Sequence, residues 1–264
     1  MTPPVLPTSR PGMPDPKTVL STLVLQPIAP KTIGGAPPKG TPKQTYTILR
    51  TNQVDEYERQ PASDAEVLAA PKTMSAAGDN FAGTDRKVAK LSVSKKTVVK
   101  MQDLKDIIDS LPGESAMKAQ HISKDKNSGR VPDEDRNVRV TAWLYAASRE
   151  NDNDFHLIIG RDPSDPNPTQ EMYMTMEVSG LPPKTASSYK AIKKARDAYT
   201  TFFAGNLPGV GYDFPDPPVK LEIGGSLFFD VTHLTAGRPG PKDLRPHMPV
   251  LWEVHPVTFL KFEP

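Results

Sequence analysis

The sequence predicts a mainly β chain with some helix: a small five-stranded barrel with one packed helix, preceded by a proline-rich arm. Three observations predict it. Five stretches between residues 137 and 262 read as strands. One amphipathic helix falls between the third and the fourth. A glycine pair, Gly224-Gly225, interrupts the fourth where a barrel strand must bend.

Residues 1–45 hold 11 of the 30 prolines, six charged residues and a short apolar patch, Val19, Leu20, Leu23, Val24 and Leu25. The composition fits a disordered or polyproline-type arm, and the patch adds a reason for it to dock on a protein partner. Residues 46–136 form a mixed strand, helix and loop region. Tyr46–Thr51 reads as a strand, residues 60–87 as loop, and Lys90–Lys100 as a strand through Leu91, Val93, Val98 and Val99. Met101, Leu104, Ile107, Ile108 and Leu111 recur at helical spacing, with Asp103 near the start and Pro112-Gly113 at the stop. Residues 123–136 are charged and carry Gly and Pro, a solvated loop.

The barrel is placed at 137–264. Val138, Val140, Ala142 and Leu144 alternate with Arg139, Thr141 and Trp143, a long strand. Phe155–Gly160 and Met172–Val178 follow as strands. Ser187 or Ser188 caps a helix whose face carries Tyr189, Ile192, Ala195, Tyr199, Phe202 and Phe203; Lys190, Lys193, Lys194 and Arg196 lie mostly on its other side. Val219–Asp230 and Leu251–Phe262 complete the set, and Pro256 implies a bulge or an edge in the last. The order β-β-β-α-β-β is that of an OB-like or nuclease-like barrel, with an α+β sandwich or an open sheet as the alternative.

Composition narrows the chemistry. Without cysteine there is no disulfide scaffold, cysteine-ligated zinc, iron–sulfur cluster or thiol nucleophile. A net charge of +2 does not by itself imply a polyanionic partner. No apolar run reaches the ~20 residues of a membrane span. The patch at 19–25 is weak as a secretory signal, so the compartment expected is the cytoplasm, with secretion left open. Phosphate loops, G-x-S-x-G elbows and H-E-x-x-H motifs are absent.

Three segments stand out together: Asp152–Ile158 (DNDFHLI), Gly225–His233 (GSLFFDVTH) and Trp252–Val257 (WEVHPV). With Val138–Leu144 they resemble an uncharacterised bacterial protein family with the pattern D-x-D-[FY]-H-L, F-D-x-x-H and W-E-[IV]-H-P-V. The resemblance covers about residues 137–262. It implies membership and no particular reaction.

The same segments carry the chemistry-bearing residues. Asp154, His156, Asp230 and His233 are candidate metal ligands, because imidazole nitrogen and carboxylate oxygen suit zinc, manganese, magnesium or iron. Glu253 and His255 are candidate catalytic residues, since both are acid–base groups and share one face of a strand. The bland account of the set is a structural network in which His–Asp pairs fasten loops to the barrel. Asp152-Asn153-Asp154 lacks the rest of a calcium loop and reads as an Asx turn. Trp143, Tyr145 and Tyr173, with Lys190, Lys193 and Lys194, are the candidates for single-stranded nucleic-acid binding. Three functions are therefore carried forward. The first is a non-enzymatic binding or scaffolding module with an interaction arm. The second is a metal-dependent hydrolase of nuclease-like phosphodiesterase type. The third is a single-strand-binding barrel.

Overall fold

The computed structural model describes residues 12–27, 44–55, 63–65, 78–97, 100–165 and 171–263. Eight strands form one sheet: β1 (Val19–Leu25), β2 (Tyr46–Thr51), β3 (Asn137–Arg149), β4 (Phe155–Gly160), β5 (Tyr173–Val178), β6 (Asp213–Asp216), β7 (Val219–Phe229) and β8 (Trp252–Phe262). Five of them close a barrel in the order β3-β4-β5-β8-β7 and back to β3. The first three form a meander, β5 and β8 run parallel, and the remaining pairs are antiparallel. A second wing, β1-β2-β6, joins β3 through Ala147 opposite Asp213.

The barrel interior follows from alternation. Val138, Val140, Ala142 and Leu144 of β3, Phe155, Leu157 and Ile159 of β4, and Met174, Met176 and Val178 of β5 lie in one apolar cluster. Leu221 and Ile223 of β7 and Trp252, Val254 and Val257 of β8 complete it. Helix α4 (Tyr189–Phe202), between β5 and β7, packs against β8, where Phe202 stacks on Phe262 at 3.9 Å and Tyr199 meets Phe155 at 4.7 Å. Buried aromatic pairs of this kind add about 0.5–1.5 kcal/mol each beyond the area they bury.

Several elements depart from the sequence reading. The stretch read as a strand at Lys90–Lys100 opens as helix α1 (Lys87–Leu91), which buries Ala89 and Leu91. Among the described residues no ladder receives residues 92–97 after it: the Ser94 N–H bonds the Ser226 hydroxyl at 2.9 Å instead. Val98 and Val99 lie outside the described residues. The proline-rich stretch is not wholly outside the sheet, because its apolar patch is β1 and pairs with β2. The rest of that arm, residues 1–11 and 28–43, lies outside the described residues. Strand β6, between the helix and β7, is an element the sequence pattern does not predict. Two short helices, α3 (Glu114–Ala119) and α5 (His233–Ala236), were not anticipated, whereas α2 (Leu104–Asp109) was, and the Asp103 carboxylate accepts from the Lys105 N–H at its start. Among the described residues no helix is long and apolar enough to cross a membrane.

One buried ion pair fixes α1 to the barrel. The Arg86 guanidinium meets Glu134 in a two-pronged contact at 2.6 and 2.8 Å, and Glu134 also accepts from the Phe229 N–H at 2.9 Å. Both side chains are almost fully buried, 1% and 0% exposed. Removing one partner of such a pair strands the other charge. Glu134→Gln is therefore expected to destabilise the protein by about 3–5 kcal/mol, read as a lower urea midpoint. The double change Arg86→Met with Glu134→Leu should recover part of that loss, and a double variant as weak as the single one would contradict this account.

Candidate metal centre

The site lies on the outer face of the β4-β5-β8 wall, and strand register builds it. Where Leu157, Met176 and Val254 point into the barrel, their neighbours point out. His156 on β4 stands opposite Glu177 on β5. Thr175 pairs in parallel register with Glu253 on β8, which brings Glu177 alongside His255. The turn before β4 adds Asp154. A continuous run of strand residues is buried here on both faces, as the β4, β5 and β8 burial patterns show.

His255 is the centre of the cluster and is fully buried. Its Nδ1 lies 2.7 Å from Glu177 Oε2 and 3.6 Å from Glu253 Oε2, and its Nε2 lies 3.2 Å from Asp154 Oδ2. None of these contacts is an aligned hydrogen bond. Both His255 nitrogens, Asp154 Oδ2, Glu177 Oε2 and Glu253 Oε2 are buried without a hydrogen-bond partner. The opposite oxygen of Asp154 is satisfied by the Gly180 N–H at 2.6 Å. On the other side of Glu177, His156 Nδ1 is 3.6 Å from Glu177 Oε1 and 2.5 Å from Glu150 Oε1. Two sets of potential ligands result: Asp154, Glu177 and His255, and Glu150, His156 and Glu177, the ligand atoms of each lying within 4.8 Å of one another.

Protonation follows from burial and neighbouring charge. Burial pushes Asp154 up to about 7, helped by the Asp152 charge beside it. Burial and the Glu177 charge push Glu253 to about 7 as well. Burial also works against an ionised Glu177, but His255, Lys90 and His156 outweigh it and hold that carboxyl well below the usual range. His255 is the reverse: burial opposes its charge, and the Glu177, Asp154 and Glu253 carboxyls raise it well above an ordinary histidine. Lys90 supplies the fixed cation, 3.2 Å from Asp152 Oδ2 and 3.9 Å from Glu177 Oε2.

A cleft of about 410 Å³ opens over this wall. Glu150, Asp152, Glu177, Lys90, Asp230 and His233 are among the residues that line it. That volume falls within the range of small-molecule sites.

Of the metal ligands expected from sequence, Asp154 and His156 enter the cluster, as do Glu253 and His255. Asp230 and His233 do not. They pair with each other, with His233 Nε2 also 3.7 Å from Asp55 Oδ1, and they line part of the cleft. Glu177, the residue common to both ligand sets, was not singled out from sequence; its signal was a glutamate inside an apolar strand. Glu150, Lys90 and Asp55 were not singled out either. Asp152-Asn153-Asp154 is an Asx turn, with the Asp154 N–H on Asp152 Oδ1 at 3.2 Å and Asn153 at φ 77°.

The nucleic-acid candidates are not assembled into a platform. Tyr145 and Tyr173 are buried edge-to-face at 4.9 Å, their hydroxyls given to the Arg161 carbonyl and Glu171. Trp143 is half-buried with the Lys220 ammonium 5.8 Å from its ring centre. Lys190 and Lys194 are exposed, and Lys193 pairs with Asp197. Arg196, read as part of a basic solvent face, is instead buried at 2% exposure, and its guanidinium donates to the carbonyls of Asn153, Val178 and Ser179.

No protein-family model, curated protein or solved structure matches the chain.

His233 gives the site a readable pH dependence. Burial opposes its charge, yet contacts with Asp230 and Asp55 outweigh this and raise it from 6.5 to about 11. A raised imidazole stabilises the fold fully below its unfolded value and loses that contribution as pH rises through the folded one. The stability difference between wild type and His233→Gln should therefore be largest below pH 6.5 and shrink toward pH 11, measured as urea midpoints. A difference that grows with pH would contradict the pairing. Asp55, held down at about 2 against its burial by His233 and His156, adds an acid limb lost only as pH falls from 3.8 toward 2.

Proposed function

We propose that this barrel is a ligand-binding module built around one divalent cation held by Asp154, Glu177 and His255. One observation carries the reading. Unpartnered atoms of three acids and both nitrogens of one histidine converge in a fully buried place. An unmatched buried polar group costs about 1–3 kcal/mol, more when charged. A cation on one ring nitrogen of His255, shared with Asp154 and Glu177, satisfies several of them at once and leaves the opposite nitrogen to donate its N–H. The mixed imidazole and carboxylate set suits manganese, zinc or iron. The family resemblance belongs to the same reading, because its motif segments supply Asp154, His156, Glu253 and His255.

The test is metal uptake by the full chain. Titration with Mn²⁺ or Zn²⁺ should show tight binding that Asp154→Asn and His255→Ala abolish and His247→Ala, on the surface, leaves intact. A chelator should lower the melting temperature of wild type and not of His255→Ala. Absence of uptake by wild type, or equal uptake by Asp154→Asn, makes the cluster a proton-held structural network instead.

Metal-dependent hydrolysis is a second reading, favoured by one observation: Glu177 lines the cleft, so an ion held there has a face toward an incoming ligand. A chromogenic phosphodiester should then turn over in the presence of Mn²⁺, and His255→Ala should abolish the turnover. Activity that persists in that variant would sink this reading.

A further inference from the structure

Glu177 faces two partners with two different atoms. Its Oε2 lies 2.7 Å from His255 Nδ1, and its Oε1 lies 3.6 Å from His156 Nδ1. His156 in turn is 2.5 Å from Glu150 Oε1. Each oxygen of one buried carboxylate thus belongs to its own imidazole and acid set.

We propose that Glu150, His156 and Glu177 form a second divalent-cation site, so that Glu177 bridges a pair of ions. This rests on the reading of the first site. Four features carry it. The ligand atoms of the second set lie within 4.8 Å of one another, close to the spread an ion with bonds of ~2.0–2.2 Å allows. Glu177 is 3% exposed at its side chain and turns a separate oxygen to each set, Oε2 to His255 and Oε1 to His156. Glu150, 12% exposed at its side chain, opens this second set more widely toward the cleft than the first set, whose three residues are all buried. Four acids, Glu150, Asp152, Asp154 and Glu177, act on Lys90, and with His255 neutral as a ligand a single divalent ion leaves carboxylate charge over.

The geometry names the ligand class. Carboxylate-bridged pairs with ions ~3.5–4 Å apart hold manganese, zinc or iron and present both ions to one small oxyanion. The sheet favours such a pair, because His156 and Glu177 are directly opposed in the β4–β5 ladder and rigid strands hold both. Lys90, 3.9 Å from Glu177 Oε2, is positioned to meet the charge of an anion that enters the cleft.

The experiment is a Mn²⁺ titration of the full chain, counted by calorimetry and followed by electron paramagnetic resonance. Wild type should bind two ions per chain and show a spin-coupled signal at saturation. Glu150→Gln, a conservative change at a partly exposed residue, should keep one ion, lose the coupling and weaken the other ion. That weakening should be at least the roughly 10–100-fold that even outer-shell partners are worth. Glu177→Gln should weaken both. One ion in wild type, removed by Asp154→Asn and untouched by Glu150→Gln, overturns the second site and leaves the first standing. No ion in wild type overturns both. Two ions without coupling, indifferent to Glu150→Gln, place the second ion elsewhere and also overturn the inference.

Discussion

A carboxylate removed from water costs several kcal/mol unless opposite charge meets it, and Glu177 is all but removed from water, 3% exposed at the floor of the cleft. Much of the structure around the barrel wall answers that one constraint. Register sets His156 across from it on β4 and brings His255 beside it on β8. Helix α1 delivers Lys90 from outside the barrel. The remaining carboxyls then adjust to what Glu177 has claimed. Burial and a neighbouring carboxylate push Glu253 and Asp154 toward neutrality, and His255 offsets this only in part. A divalent ion would reverse that ordering by compensating all of them together.

The cover over the wall is as deliberate as the wall. The segment before α1 is stitched to the barrel by the Phe81 N–H on the Leu181 carbonyl and the Ala82 N–H on the Asp152 carbonyl. Gly180 makes the approach possible, since a Cβ there would stand 2.6 Å from the Phe81 Cα. The same glycine gives its N–H to Asp154. Arg196 reaches down from α4 to hold the carbonyls at the ends of the β4 turn and β5. The site is thus clamped from helix, turn and cover, which keeps its acids from relaxing outward into water.

Strand β3 was legible from its period-two pattern, and the other barrel strands as short, largely apolar runs bounded by turns. Helix α4 was legible from its aromatic stripe. Helix α1 was not, because Leu91 and Val93 alternate by chance and the turn that captures them depends on the distant Arg86–Glu134 pair. His156, Asp154, Glu253 and His255 were legible as polar residues in or beside apolar strands. Glu177 carried the same signal, a glutamate after three methionines and a tyrosine, but it had no motif neighbour to draw notice. The misplacement of Asp230 and His233 has a different cause. Their spacing brings them against one another at the start of α5, so their proximity in sequence consumes the partnership that a shared metal site would need.

Pro256 shows how local irregularity positions the site. Strand β8 pairs with β7 as Val254 opposite Leu227 and Val257 opposite Gly225, so two residues of β8 span one of β7. That bulge lies at His255-Pro256. Without it, the inward residues would run 254, 256, 258, and a proline would enter the core face. With it, Val254 and Val257 both reach the interior, and Glu253 and His255 stay on the outer wall. The close passage demands glycine opposite: a Cβ at Gly225 would lie 2.3 Å from the Pro256 carbonyl oxygen and 2.7 Å from Val254 Cγ1. Arg130 then holds the bulge, donating to the His255 carbonyl at 2.5 Å and to the Leu227 carbonyl across the pair. The glycine pair in β7 and the proline in β8 are therefore one device. It turns the barrel corner and, in the same step, leaves a histidine facing Glu177.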